Sequence, residues 1–65
     1  MEPIKILLRI QHSLWPYIDS KPLHGSQKVV SKTDNFTDIT IEVIPNYELE
    51  SLLLQFGENI KVMQP

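Results

Sequence analysis

The stretch FTDITIEVIPNYELESLLLQFG, residues 36–57, decides the fold, because it places a strand and a helix in direct succession. Over residues 36–44 apolar and polar side chains alternate with a period of two, which predicts a strand with one apolar face. The predicted inward side chains are Ile39, Ile41 and Val43, and the outward ones are Thr40 and Glu42.

The second part of this stretch predicts the clearest helix of the chain. Asn46 is a favourable N-cap, and Glu48 and Glu50 follow near the positive end of the helix dipole. Gly57 stands where a left-handed residue would end the helix. One apolar stripe at helical spacing joins Leu49, Leu52, Leu53 and Phe56.

The N-terminal part predicts a second strand–helix pair. Residues 4–10 alternate as a strand, with Ile4, Ile6, Leu8 and Ile10 on one face. Residues 12–19 predict a short helix with Ser13 as N-cap and Pro16 in the first turn, where no intrahelical bond is lost. In that helix, Leu14 and Ile18 are expected to face the sheet.

Two further strands complete the pattern. Residues 26–33 are polar and contain lysines, which is typical of an edge strand. A turn is predicted at residues 33–35, where Asn35 tolerates left-handed backbone geometry. The last strand, residues 59–63, is expected to turn Ile60 and Val62 towards the core.

The order strand, helix, strand, strand, helix, strand predicts an α+β fold. It is the ferredoxin-like βαββαβ arrangement, a four-stranded antiparallel sheet with two helices on one face. Right-handed crossovers would place the first and third strands in the centre and the polar second strand at an edge. We expect a single domain over residues 1–65.

Composition limits the function. The chain has 65 residues, no cysteine and a net charge of −2, so it has neither disulfides nor thiolate metal ligands, and it lacks the basic excess of a duplex DNA-binding surface. No apolar segment reaches the roughly 20 residues of a membrane span. The first residues do not resemble a signal peptide, and we expect a cytoplasmic protein.

No pattern of catalytic or cofactor-binding residues is present. His12 and His24 lack the spacing and the partners of a zinc site, and no serine lies in a G-x-S-x-G motif. The two glycines do not form a phosphate-binding loop. We therefore expect no enzyme activity, no metal and no cofactor.

Two regions are candidate sites for a ligand or a partner. One is the sheet face opposite the helices, where Leu7, Ile44 and Met63 would lie among polar residues that include Arg9. The other is the loop that contains His24, Ser26 and Gln27, whose donors and acceptors suit a small ligand or a backbone carbonyl. For the face, the alternative is ordinary scattered apolar surface; for the loop, it is capping of neighbouring backbone groups.

The whole chain resembles the C-terminal extension (WCX) domain that follows the WYL domain in bacterial helix-turn-helix transcription regulators. The resemblance lies in the order of short motifs rather than in any single one. These motifs are the opening strand over residues 4–10, His24-Gly25-Ser26-Gln27, Asp34-Asn35, Ile39-Thr40-Ile41-Glu42-Val43, Glu48-Leu49, Leu53-Leu54, Phe56-Gly57, and Ile60-Lys61-Val62-Met63-Gln64-Pro65. Asn35 departs from the family, which commonly has glycine at that place.

This resemblance implies a ferredoxin-like fold and a role in dimer assembly and effector sensing. The implied partners are a WYL domain, a second protomer and a small-molecule or nucleotide effector, while a separate helix-turn-helix binds DNA. It also implies that the chain is a piece of a longer regulator. No residue is assigned to a ligand contact by this resemblance.

Two other functions are compatible with such a fold. A free-standing sensor would bind an amino acid or a nucleotide at the loop of residues 24–27. An acylphosphatase-like hydrolase would need an arginine and an asparagine at a phosphate-binding loop. Arg9 is the sole arginine and lies within a predicted strand, which disfavours the hydrolase.

Overall fold

A computed structural model describes residues 2–64 and confirms the predicted βαββαβ order. Pro65, which the sequence comparison used, lies outside the described residues. The elements are β1 (Ile4–Gln11), α1 (Trp15–Ser20), β2 (Lys28–Lys32), β3 (Phe36–Val43), α2 (Tyr47–Gln55) and β4 (Ile60–Gln64), with a 3-10 turn at Gly57–Asn59. The sheet has the order β2-β3-β1-β4 with antiparallel neighbours, so the predicted central and edge strands are confirmed.

The core lies between the sheet and the two helices. The two central strands, β1 and β3, contribute most of this core, because every second side chain of each strand points to the helical layer. The buried apolar side chains are Ile6, Leu8, Ile10, Trp15, Ile18, Ile39, Ile41, Val43 and Ile60. Ile4 belongs to the same alternation but lies at the end of β1 and is exposed.

Helix α1 begins later than the sequence predicts. Ser13 is not its N-cap; that position is Leu14, which makes no side-chain capping hydrogen bond. The backbone N–H of Leu14 donates to the carbonyl of Gln11 at 2.9 Å, so a tight turn joins β1 directly to the helix. Pro16 does lie in the first turn, and Ile18 is fully buried, as predicted.

Helix α2 has the predicted ends. The side-chain Oδ1 of Asn46 accepts a hydrogen bond from the N–H of Leu49 at 2.8 Å. Gly57 follows the helix with a φ of +57°, the left-handed conformation that glycine adopts without a steric penalty. However, no residue of α2 is buried, and its predicted stripe is only half-buried against the sheet.

The turn between β2 and β3 is stabilised by a different residue from the one predicted. Its hydrogen bonds centre on the Thr33 hydroxyl, which accepts from the N–H groups of Asn35 and Phe36, each at 3.2 Å. No residue other than glycine has a positive φ among residues 2–64, so Asn35 does not use its left-handed tolerance.

Strand β4 departs from regular alternation. A register shift between Leu7 and Leu8 pairs Gln64 with Leu7 and Val62 with Leu8, so Met63 lies in a bulge between the two paired positions. Val62 lies on the helix face, as predicted, but it is 50% exposed there. A groove separates Val62 from α2, because that helix does not cover the β4 edge.

Candidate functional site

The open face of the sheet is more polar than the sequence predicts. Cross-strand partners share a face, and on this face Arg9 pairs with Asp38 and Lys61, while Leu7 pairs with Thr40 and Gln64. Of the three apolar residues predicted here, Leu7 alone lies in the regular part of the sheet, since Ile44 follows the end of β3 and Met63 lies in the bulge.

Arg9 is held in place by two neighbours on this face. Its Nε and Nη2 donate to Oδ1 and Oδ2 of Asp38 at 2.9 and 3.1 Å, a bidentate pair between adjacent strands. Its guanidinium also stacks on the ring of Phe36, 3.8 Å from the ring centre. The Ser31 hydroxyl donates to Oδ2 of Asp38 at 3.4 Å and adds a contact from the edge strand.

This arrangement fixes both charges. The hydrogen bond from Arg9 lowers the pKa of the Asp38 carboxyl below its ordinary value, despite the opposing effect of burial. The same hydrogen bond raises the pKa of Arg9. The carboxylate thus accepts from two of the five guanidinium N–H groups of Arg9.

The structure brings His24 and Ser26 together. The Ser26 backbone N–H donates to Nδ1 of His24 at 3.1 Å. The Ser26 hydroxyl accepts from the N–H of Glu42 at 2.8 Å. That hydroxyl lies 2.7 Å from Nδ1 of His24 and 3.2 Å from the Glu42 carbonyl, the two acceptors within reach of its proton. Ser26 therefore joins the loop to the last part of β3.

Gln27 joins the same loop to α1. Its Oε1 accepts from the N–H of Leu23 at 2.9 Å, and its Nε2 lies 3.5 Å from the carbonyl of Ile18, to which it donates. The three predicted loop residues therefore lie together, but the side chains of Ser26 and Gln27 bind backbone groups of the domain itself. This geometry is that of the backbone-capping alternative.

Two grooves flank α2, and the sequence did not predict either. The groove on the β3 side, called here the β3-side groove, has a volume of about 490 Å³. Its lining residues are Pro3, Leu23, His24, Glu42, Val43, Ile44, Asn46, Glu48, Leu49 and Leu52. The sequence indicated this groove only through apolar residues that it assigned elsewhere, namely Val43, Leu49 and Leu52 to the core and Ile44 to the open sheet face.

The second groove, called the β4-side groove, lies between α2 and the edge strand β4. It is mostly apolar, with a volume of about 500 Å³. Its lining residues are Glu50, Leu53, Leu54, Gly57, Ile60 and Val62. Leu54 is 78% exposed and stands outside the apolar stripe of α2, which is the sequence signal that would have indicated this surface.

Residues 2–64 contain neither a cluster of metal ligands nor a membrane-spanning helix. This part of the chain contains no group of three or more His, Cys, Asp or Glu side chains placed to hold a metal ion. None of the helices described here has the length and apolar character needed to cross a bilayer.

The chain matches the model of a known protein family. A family model described as the WCX domain matches residues 2–65, which is nearly the whole chain. No curated protein matches the chain.

Proposed function

The chain belongs to the WCX domain family, and from this premise we propose that it is a non-catalytic regulatory and assembly module of a WYL-type transcription regulator. The family match over residues 2–65 carries the proposal. In this role the domain contributes to dimer assembly and effector sensing in the cytoplasm, while a helix-turn-helix elsewhere in the regulator binds DNA.

The incomplete helical layer supports the assembly role. Helix α2 has no buried residue, and Tyr47 and Leu54 on that helix are 81% and 78% exposed. Val62 on the neighbouring edge strand is half exposed. Leu54 and Val62 line the same groove, and neighbouring apolar side chains exposed to this degree are typical of a surface that another protein surface covers.

The sensing role receives less support from the loop of residues 24–27 than the sequence suggested. Ser26 and Gln27 direct their polar groups to Glu42, Leu23 and Ile18 of the same domain. An effector at this loop would compete with those hydrogen bonds. We therefore propose dimer assembly as the main function, effector sensing as the second and a free-standing sensor as the third.

The parent regulator provides the test. Its molar mass in solution would be measured by size-exclusion chromatography with light scattering, with and without residues 1–65. We expect the deletion to convert a dimer to a monomer and to weaken operator binding. A deleted protein that remains a dimer and binds its operator as before would overturn the assembly role.

A further inference from the structure

We propose that a cleft on the open sheet face binds a small zwitterion, a free amino acid whose carboxylate meets Arg9 and Lys61 and whose ammonium group meets Glu58. The proposal deepens the effector-sensing part of the proposed function and rests on it, since it names a class of ligand and its site. Its test uses the isolated chain, so its failure would be distinct from a failure of the dimer experiment.

This cleft, called here the Arg9 cleft, lies where the turn after β1 meets the turn before β3. Its volume of about 410 Å³ lies within the range of natural binding pockets, roughly 300–1,000 Å³. The backbone N–H of His12 in the first turn donates to the carbonyl of Asn35 in the second at 3.0 Å. Because both residues line the cleft, a backbone hydrogen bond holds its two turns together.

Arg9 offers two unused donors in a fixed orientation. Asp38 accepts from Nε and Nη2, which form the side edge of the guanidinium, and the ring of Phe36 stacks on the guanidinium plane. The end edge consists of an N–H of Nη1 and the second N–H of Nη2, and neither has a hydrogen-bond partner within residues 2–64. Two parallel N–H groups of this kind match the two oxygens of a carboxylate. Since Asp38 and Phe36 already hold the guanidinium, a ligand binds it without the cost of ordering a mobile side chain.

Lys61 supplies a second positive charge at the same place. It lies directly opposite Arg9 across β1 and β4, while Asp38 lies opposite Arg9 across β1 and β3. Like charges that face each other across neighbouring strands repel, and the Asp38 carboxylate offsets only one of the two. A bound carboxylate would offset the other.

Glu58 favours a zwitterion over a simple anion. It lies in the 3-10 turn before β4 and lines the same cleft as Lys61. The one ion pair found within residues 2–64 is that of Arg9 with Asp38, so Glu58 and Lys61 do not neutralise each other by direct contact. The four charged groups sum to zero, which disfavours a phosphate dianion and suits a ligand with one charge of each sign.

The other clefts described over residues 2–64 lack this combination. Neither the β3-side groove nor the β4-side groove is lined by a lysine or an arginine. A cleft between Lys5 and Lys28 has a volume of only about 40 Å³, little more than the roughly 30 Å³ that one water molecule takes up in the liquid. A fixed guanidinium, a second cation and a carboxylate therefore meet in the Arg9 cleft.

The test titrates the isotope-labelled 65-residue chain with L-leucine and with L-phenylalanine and follows the backbone amides by NMR. The amide of each amino acid lacks the carboxylate, the N-acetyl derivative lacks the ammonium charge, and inorganic phosphate is a simple anion. We expect saturable shifts from a free amino acid at residues 9–13, 35–38 and 58–61, and at least about tenfold weaker binding of its derivatives and of phosphate.

Three results would each overturn the proposal. The first is the absence of a saturable shift with either amino acid at millimolar concentration. The second is a set of shifts centred outside the Arg9 cleft. The third is binding of the amide, the N-acetyl derivative or phosphate as tightly as the free amino acid.

Matched variants separate the site from net charge. Lys61→Gln and Glu58→Gln should each weaken binding of the free amino acid about three- to tenfold. Glu58→Gln should also reduce the preference for the free amino acid over its N-acetyl derivative. Lys28→Gln and Glu48→Gln make the same changes in net charge away from the cleft and should leave binding unchanged. Equal weakening in the matched variants would reduce the effect to net charge and overturn the proposal.

Arg9→Lys tests the end edge of the guanidinium. This variant keeps the charge but removes the paired donors, and we expect binding at least several-fold weaker. The amide spectrum without ligand verifies that each variant is folded, and the exposed positions Glu58 and Lys61 provide the test if Arg9→Lys is not. A folded Arg9→Lys domain that binds as tightly as the original would overturn the role of Arg9.

Discussion

Two leucines, one in the core and one on α2, give a direct test of how the domain divides its apolar surface between folding and assembly. Leu8 is 0% exposed in the central strand β1, whereas Leu54 is 78% exposed on α2. Substitution by alanine should therefore destabilise the fold at Leu8 and weaken dimer assembly at Leu54.

The expected magnitudes follow from these exposures. Leu8→Ala removes a fully buried side chain and should cost about 2–5 kcal/mol of the free energy of unfolding. A domain of this size has a total of roughly 3–10 kcal/mol, so this variant should lose a large share of its stability and unfold at a much lower urea concentration. Folding buries only about a fifth of Leu54, which limits the cost of Leu54→Ala to about 0.5 kcal/mol. The higher helix propensity of alanine offsets part of that cost.

Leu54→Ala should have a larger effect on dimer assembly than on folding. If a dimer interface covers α2, it buries the remaining four-fifths of Leu54, worth about 1–2 kcal/mol in each protomer. Truncation in both protomers should then raise the dimer dissociation constant by on the order of a hundredfold.

The measurements are urea denaturation of the isolated chain and sedimentation equilibrium of the parent regulator. A loss of much more than 1 kcal/mol for Leu54→Ala in the isolated chain would show that α2 is packed more tightly than its exposure indicates. A normal unfolding free energy together with an unchanged dimer dissociation constant would refute the covering of Leu54 by a second protomer.

Three further predictions concern stability. Because Arg9 lowers the pKa of Asp38, the pair stabilises the fold at pH values above the ordinary carboxyl pKa, and this contribution disappears as the pH falls through the lowered pKa. When the unfolding free energy is measured as the pH is lowered, the original chain should therefore lose stability more steeply than Asp38→Asn. Asn46→Ala should cost about 1 kcal/mol in thermal denaturation because a helix N-cap is lost, and Asn46→Asp should restore most of it. Gly57→Ala should cost on the order of 1 kcal/mol because of its positive φ, whereas Gly25→Ala, where an added Cβ meets no atom within 4 Å, should be nearly neutral in the same assay.

Several features set by residues close in sequence were predicted well, although the Ser13 cap and the left-handed Asn35 were not. The cap at Asn46 depends on a residue three positions later, and the end of α2 depends on the conformation of Gly57. The alternation in β1 and β3 determines which side chains point to the helices. These signals are local, and together they were sufficient for the βαββαβ order and the position of the polar edge strand.

Features that depend on register were not predictable in this way. The bulge beside Met63 arises where β4 meets β1, more than fifty residues away in sequence, and a strict period of two cannot anticipate it. The pairing of Arg9 with Asp38 likewise depends on the exact offset of β1 and β3. Without that offset, Arg9 appears as an unpaired cation suitable for a ligand.

The sequence pattern predicts which face of α2 is turned to the sheet but not how closely the helix packs on it. Its apolar stripe correctly indicates the side that faces the sheet, because Leu49, Leu53 and Phe56 contact the core. Amphipathicity gives the direction of a helix face but not how closely the helix approaches, which depends on everything that packs around it. Here α1 has only six residues, and grooves remain on both sides of α2. Apolar surface that the sequence assigned to the core or to the open sheet face therefore lies beside α2, and the search for partners belongs on the helical side of the sheet.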